Sequence, residues 1–110
     1  MHLKYNVGSN GGALSSTSSA GPSIHYVEFV NNTSEFSGGA ISLQHSSITL
    51  HDCLCINNTA GYNGGCLAAI ESTTAEISNF LVTNNHAKQD GGGLHFLEKS
   101  TPYMRNITLR

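Results

Sequence analysis

The stretch NNTAGYNGGCL at residues 57–67 returns in altered form at a near-constant distance on either side of itself. Residues 31–41 read NNTSEFSGGAI, residues 84–94 read NNHAKQDGGGL, and GGAL stands at 11–14. The first glycine of each pair falls at 11, 38, 64 and 91, giving steps of 27, 26 and 27 residues. The Asn pairs begin at 31, 57 and 84, each seven residues ahead of its glycine. Two markers holding one phase define an internal repeat, and a period between about 20 and 50 residues is the mark of a solenoid.

Alignment on the glycines brings like residues into columns. Ile24, Leu50 and Ile77 share one column; Val27, Cys53 and Phe80 another; Phe29, Cys55 and Val82 a third. After the glycines, Leu14, Ile41, Leu67 and Leu94 align, as do Leu43, Ala69 and Phe96. Within a repeat the apolar positions alternate with polar ones, as in SITLHDC at 47–53, which is the period of half-buried strands. No segment carries helical periodicity. Each repeat therefore predicts about three short strands, near 40–44, 48–52 and 54–58 in the second. Strands this short bury no face alone, but pairing each with its counterpart one repeat on, at about 4.8 Å per coil, produces a continuous core. The expected fold is all-β: a parallel β-helix of about four coils, around 1–23, 24–47, 48–74 and 75–110, forming a single domain over residues 1–110.

The invariant markers have physical roles in such a fold. A sharp corner needs a left-handed backbone or a close approach of chains, and the Gly-Gly pairs supply both. The column Ala13, Ala40, Cys66 and Gly93 is small, as expected where the chain turns inward. The Asn pairs are expected to stack as side-chain amide ladders along the axis. Residues 4–10 hold a degenerate version of the pair in which only Asn6 comes close, and residues 15–23 read as a Ser/Gly/Pro loop between coils. At the other end, NITLR at 106–110 resembles SITLH at 47–51 but lies farther from its glycines, so a six-residue expansion around LEKSTPYM at 97–104 is expected to protrude.

Composition excludes several functions. Only 11% of the residues are charged and the net charge is −2, which leaves no basic stripe for nucleic acid or an anionic membrane surface. No apolar run reaches the roughly 18 residues of a membrane span, and the N-terminus shows no signal peptide. That start is compatible with a fragment of a longer array and with a leaderless cytoplasmic protein. Sequons at Asn31, Asn32, Asn57 and Asn106 carry meaning only in a eukaryotic secretory pathway and read as coincidence in a chain rich in Asn and Thr.

The residues then reach a known family. GGAI at 38–41, with Phe29 and Asn32 as F-x-x-N, resembles the paired tetrapeptides of the chlamydial polymorphic outer membrane protein repeat. Later copies depart from it: Cys55 and Val82 replace the Phe while Asn58 and Asn85 are kept, and GGCL and GGGL replace GGAI. The resemblance covers residues 24–97. It implies a pectin-lyase-like right-handed β-helix serving as a structural or adhesive part of a cell-surface or secreted protein. The partners it implies are a host-cell or matrix glycan or protein, together with neighbouring coils of a longer chain.

The rival reading is a fragment of a polysaccharide lyase, hydrolase or epimerase, whose site needs clustered carboxylates or a cation on one outward face. Asp52 and Asp90 are the only aspartates, and Asp52 aligns with Tyr26 and Asn79 rather than with an acid. Two polar columns, His25/His51 and His45/Glu71/Glu98, invite a metal, but outward residues of any solenoid stack automatically, and Ser78 and Ser18 interrupt them. Cys53, Cys55 and Cys66 form no zinc spacing; inert buried thiols are the default, and a Cys55–Cys66 bridge across one coil is open in an oxidising compartment. No catalytic, cofactor-binding or metal-ligating residue and no cofactor is assigned.

Overall fold

A computed structural model describes residues 2–17, 23–71, 74–97 and 100–109, and every regular element among them is a strand. The order is β1 (His2–Lys4), β2 (Val7–Gly8), β3 (Leu14–Thr17), β4 (Ser23–His25), β5 (Glu28–Val30), β6 (Thr33–Ser34) and β7 (Ile41–Gln44). There follow β8 (Ser47–Ile56), β9 (Thr59–Ala60), β10 (Leu67–Ile70), β11 (Thr74–Thr83), β12 (His86–Ala87), β13 (Leu94–Phe96) and β14 (Thr101–Leu109).

These strands stack as a parallel β-solenoid of about four turns with three sheets. The long sheet runs β1-β5-β8-β11-β14, with β4 also paired to β8; the second runs β12-β9-β6-β2 and the third β13-β10-β7-β3. All pairings are parallel and step by one repeat: Leu14 to Ile41, Ile41 to Leu67 and Leu67 to Leu94 in the third sheet, Leu50 to Ile77 in the long one. The apolar columns therefore become the core. Phe29, Ile41, Leu43, Leu50, Leu67, Ile77, Phe80 and Val82 are buried, each contributing about 2 kcal/mol of transfer free energy.

Left-handed residues mark the corners of each turn. Asn31, Asn57 and Asn84 stand with φ of 56–57° between the long and second sheets, and Gly11, Gly38, Gly64 and Gly91 with φ of 63–71° between the second and third. His45 and Glu71 do the same at the return to the long sheet. A fourth column, Tyr26, Asp52, Asn79 and Asn106, lies within the long sheet. One left-handed residue there shifts the in-out alternation by one place, so Leu50 and Cys53, three apart, both point inward. This joins the strands expected at 48–52 and 54–58 into the single β8, while the second sheet is built from the dipeptides Thr33–Ser34 and Thr59–Ala60, which periodicity does not reveal. The two glycines of each pair differ in role. Gly38 is left-handed, whereas Gly39 is not, and a side chain on Gly39 would run into the carbonyl oxygen of Gly65 in the next turn.

The expected six-residue expansion is absent. Leu67 pairs with Leu94 and Thr74 with Thr101, a step of 27 on both sides of the segment, and the register continues to Phe80–Ile107 and Val82–Leu109. Residues 106–109 are thus equivalent not to SITLH but to the half-strand beginning at Asn79, because the resemblance of two pentapeptides yields to the hydrogen-bonded ladder. Part of that segment, residues 98–99, lies outside the described residues, as do residues 18–22 of the expected Ser/Gly/Pro loop.

The Asn pairs divide their labour. Only the second member builds the ladder, wholly buried at Asn32 and Asn58: Asn6, Asn32 and Asn58 each donate both the backbone N–H and the side-chain Nδ2 to the Oδ1 of the next Asn, at 2.9–3.0 Å. Nδ2 of Asn32, Asn58 and Asn85 also donates to the carbonyl of Leu3, Phe29 and Cys55, the residue three before the corresponding Asn one turn earlier. This is the physical content of the F-x-x-N spacing, and it brings in Asn6, which the sequence offered only as a near match.

Candidate functional site

Chemistry-bearing side chains gather on the outer face of the long sheet. Since its first half alternates, residues flanking the column of Ile24, Leu50, Ile77 and Met104, of which Leu50 and Ile77 are buried, project outward. Strand register places Ser23, Thr49, Glu76 and Tyr103 in one outward column. His25, His51, Ser78 and Arg105 form the neighbouring column two residues along.

The second column is continuous rather than interrupted. The rings of His25 and His51 stack with centroids 5.0 Å apart and planes 6° from parallel. Ser78 Oγ then lies 2.8 Å from His51 Nδ1, so the serine extends the column by a hydrogen bond. Between the two columns is an open furrow of about 450 Å³ walled by His51, Glu76, Ser78, Tyr103 and Arg105. A second furrow of about 320 Å³ lies on the other side of Glu76, against Ser47, Thr49 and Thr74. Among the described residues neither Glu76 nor Arg105 takes part in an ion pair, which leaves one anionic and one cationic group facing solvent across the furrow. Tyr103 is 61% exposed.

The other candidates fall elsewhere. Asp52 occupies the left-handed bend of the long sheet, and Asp90 the corner before Gly91, where its carbonyl accepts from Gly64 N–H; the turn separates the two. His45 Nε2 sits 2.7 Å from Glu71 Oε2, and Gln44 Nε2 donates to the same oxygen at 2.9 Å, so this carboxylate is engaged within the chain. Glu98 and Ser18 lie outside the described residues. Among the described residues no group of three or more His, Cys, Asp or Glu side chains is placed to hold a metal ion.

The cysteines depart from the default of three inert thiols. Cys55 and Cys66 are bridged, with Cα atoms 6.0 Å apart, while Cys53 remains a buried free thiol. The bridge joins the column of Phe29 and Val82 to the column of Ala40 and Gly93, so in one turn a covalent bond stands where its neighbours place an apolar contact. Burial pushes the Cys53 thiol up, beyond what the nearby backbone near Val27 offsets. Of the sequon residues, Asn32 is wholly buried in the ladder, whereas Asn57 is exposed at a left-handed corner and Asn106 at the left-handed bend within the long sheet.

Sequence reasoning missed Tyr103 and Arg105, because the supposed expansion moved the tail out of phase. The 27-residue step from Glu76 to Tyr103 and from Ser78 to Arg105 was the available signal.

The phased Gly-Gly corners, the Phe-to-Asn ladder and the parallel register together describe one repeat type. Residues 26–44 match the Chlamydia polymorphic membrane protein repeat. The matched polymorphic membrane protein repeat contains Phe29, Asn32 and the GGAI corner, and it is set in a parallel β-helix. No curated protein and no solved structure matches the chain. No helix among the described residues is long and apolar enough to cross a membrane.

Proposed function

We propose that this chain is a structural and adhesive β-helix segment of a cell-surface or secreted protein, and that it presents a rigid face rather than turning over a substrate. The observation that carries the reading is the polymorphic membrane protein repeat at 26–44 continued in register through every turn, because a solenoid so built is a stiff spacer whose stacked interior leaves its outer face free to vary. The Cys55–Cys66 bridge adds support, since disulfides persist in oxidising compartments outside the cytosol. A host-cell or matrix glycan or protein is the partner of an adhesive segment, with neighbouring coils of a longer chain as its structural partners.

Protease treatment of intact cells producing the protein tests the location: loss of an epitope within residues 26–44 before lysis is the expected result, and protection until lysis overturns it. Incubation of the purified chain with polygalacturonate and calcium tests the rest. Release of unsaturated uronates would overturn the non-enzymatic reading.

A further inference from the structure

The furrow on the long sheet has features that the solenoid itself does not require. We propose that it binds a neutral oligosaccharide lying parallel to the solenoid axis, with Tyr103 and Arg105 as the anchoring end and Glu76, Ser78 and His51 as the polar walls. The inference deepens the adhesive reading and rests on the outer face being accessible.

The geometry selects the ligand class. The walls are two outward columns whose members recur at about 4.8 Å, so an extended ligand along the furrow meets a polar pair at every rung. Glu76 accepts hydrogen bonds, Arg105 donates them, and Ser78 and His51 do either, which suits a ligand whose hydroxyls both donate and accept. The exposed Tyr103 ring adds an apolar surface with a polar tip, and such rings anchor ligands at low entropic cost. Charge narrows the choice further. Glu76 borders both furrows and opposes a polyanion, Arg105 opposes a polycation, and the pair sums to zero.

Titration calorimetry of the full chain with cellohexaose, chitohexaose and hexagalacturonate tests this. Saturable binding of at least one neutral hexamer, stronger than that of hexagalacturonate, is expected. Tyr103→Ala and Arg105→Ala should each weaken it about tenfold with an unchanged far-ultraviolet circular dichroism spectrum, whereas Lys88→Ala, on an exposed turn away from the furrow, should not. Equal binding by wild type and both furrow variants, preference for the uronate, or no binding of any hexamer at millimolar concentration overturns the site. Since protease accessibility on intact cells is measured separately, an exposed chain that binds no hexamer refutes the furrow and leaves the surface location standing.

Discussion

The side-chain oxygen of Asn58 receives both the backbone N–H and the Nδ2 of Asn32, each at 2.9 Å, and Asn58 makes the same pair of bonds to Asn85. The amide thus satisfies its neighbours in both directions while wholly buried. Asn57, one residue earlier, is exposed and does no more than hold the left-handed corner.

The two members of the pair should therefore respond very differently to truncation. Asn58→Ala strands the Asn32 donors and the Phe29 carbonyl in the core and should cost about 3 kcal/mol or more. Asn57→Ala places an alanine in the left-handed region and should cost only about 1 kcal/mol, with Asn57→Gly close to neutral. Urea denaturation of the three variants checks the ranking, and equal losses for Asn57→Ala and Asn58→Ala would refute the division of roles.

Gly39→Ala should be among the most damaging single substitutions in the chain. Its Cβ would enter the space of the Gly65 carbonyl oxygen and the Thr59 backbone in the next turn, and those backbone atoms have no rotamer by which to yield. A loss of about 3 kcal/mol or more is expected, or failure to accumulate as folded protein. Gly92→Ala, where the nearest atom is the Asn85 carbonyl oxygen at 3.5 Å, serves as the tolerated control. A Gly92→Ala chain less stable than Gly39→Ala would contradict the stacking.

The Cys55–Cys66 bridge closes a short loop, with a sequence separation of 11, and loop-closure entropy assigns it about 3 kcal/mol. Reductant should lower the urea midpoint of the wild type accordingly and leave that of Cys66→Ala unchanged. A wild type insensitive to reductant would show that apolar packing alone holds this turn.

Burial raises the Cys53 thiol pKa, the backbone near Val27 opposes, and the Asp52 charge raises it again. A raised value in the folded state means that the unfolded chain loses its proton first. The corresponding stability is complete below the ordinary thiol range and is lost as pH climbs through the folded value. Maleimide labelling followed by mass spectrometry at about pH 8 should find Cys53 unmodified until urea is added. Rapid labelling of the native chain would overturn the assignment.

Much of this architecture is legible in the order of residues, for a reason specific to solenoids. When every turn stacks on a copy of itself, the partner of Ile41 is the residue one period later, so Leu67 and Leu94 can be named without coordinates. Spacing misleads where a local likeness competes with the period. NITLR resembles SITLH, a likeness that would move Arg105 out of phase, whereas the ladder sets it beside Ser78 and completes the furrow. Spacing is also silent on the bend at Tyr26, a residue type that seldom turns left-handed, although Asp52, Asn79 and Asn106 in the same column tolerate that conformation, and on the Asn pair, where two identical side chains occupy opposite environments.

Period, strand content, parallel stacking and the composition of the core columns were thus determined by the chain's own repetition, because translation along one axis carries every contact from turn to turn. The tertiary structure alone decided which Asn enters the ladder, which two of three cysteines join, and which outward residues share a furrow. Those outcomes depend on the direction each side chain takes around the turn, and direction is fixed by single left-handed residues that shift the alternation, a quantity that spacing along the chain does not record.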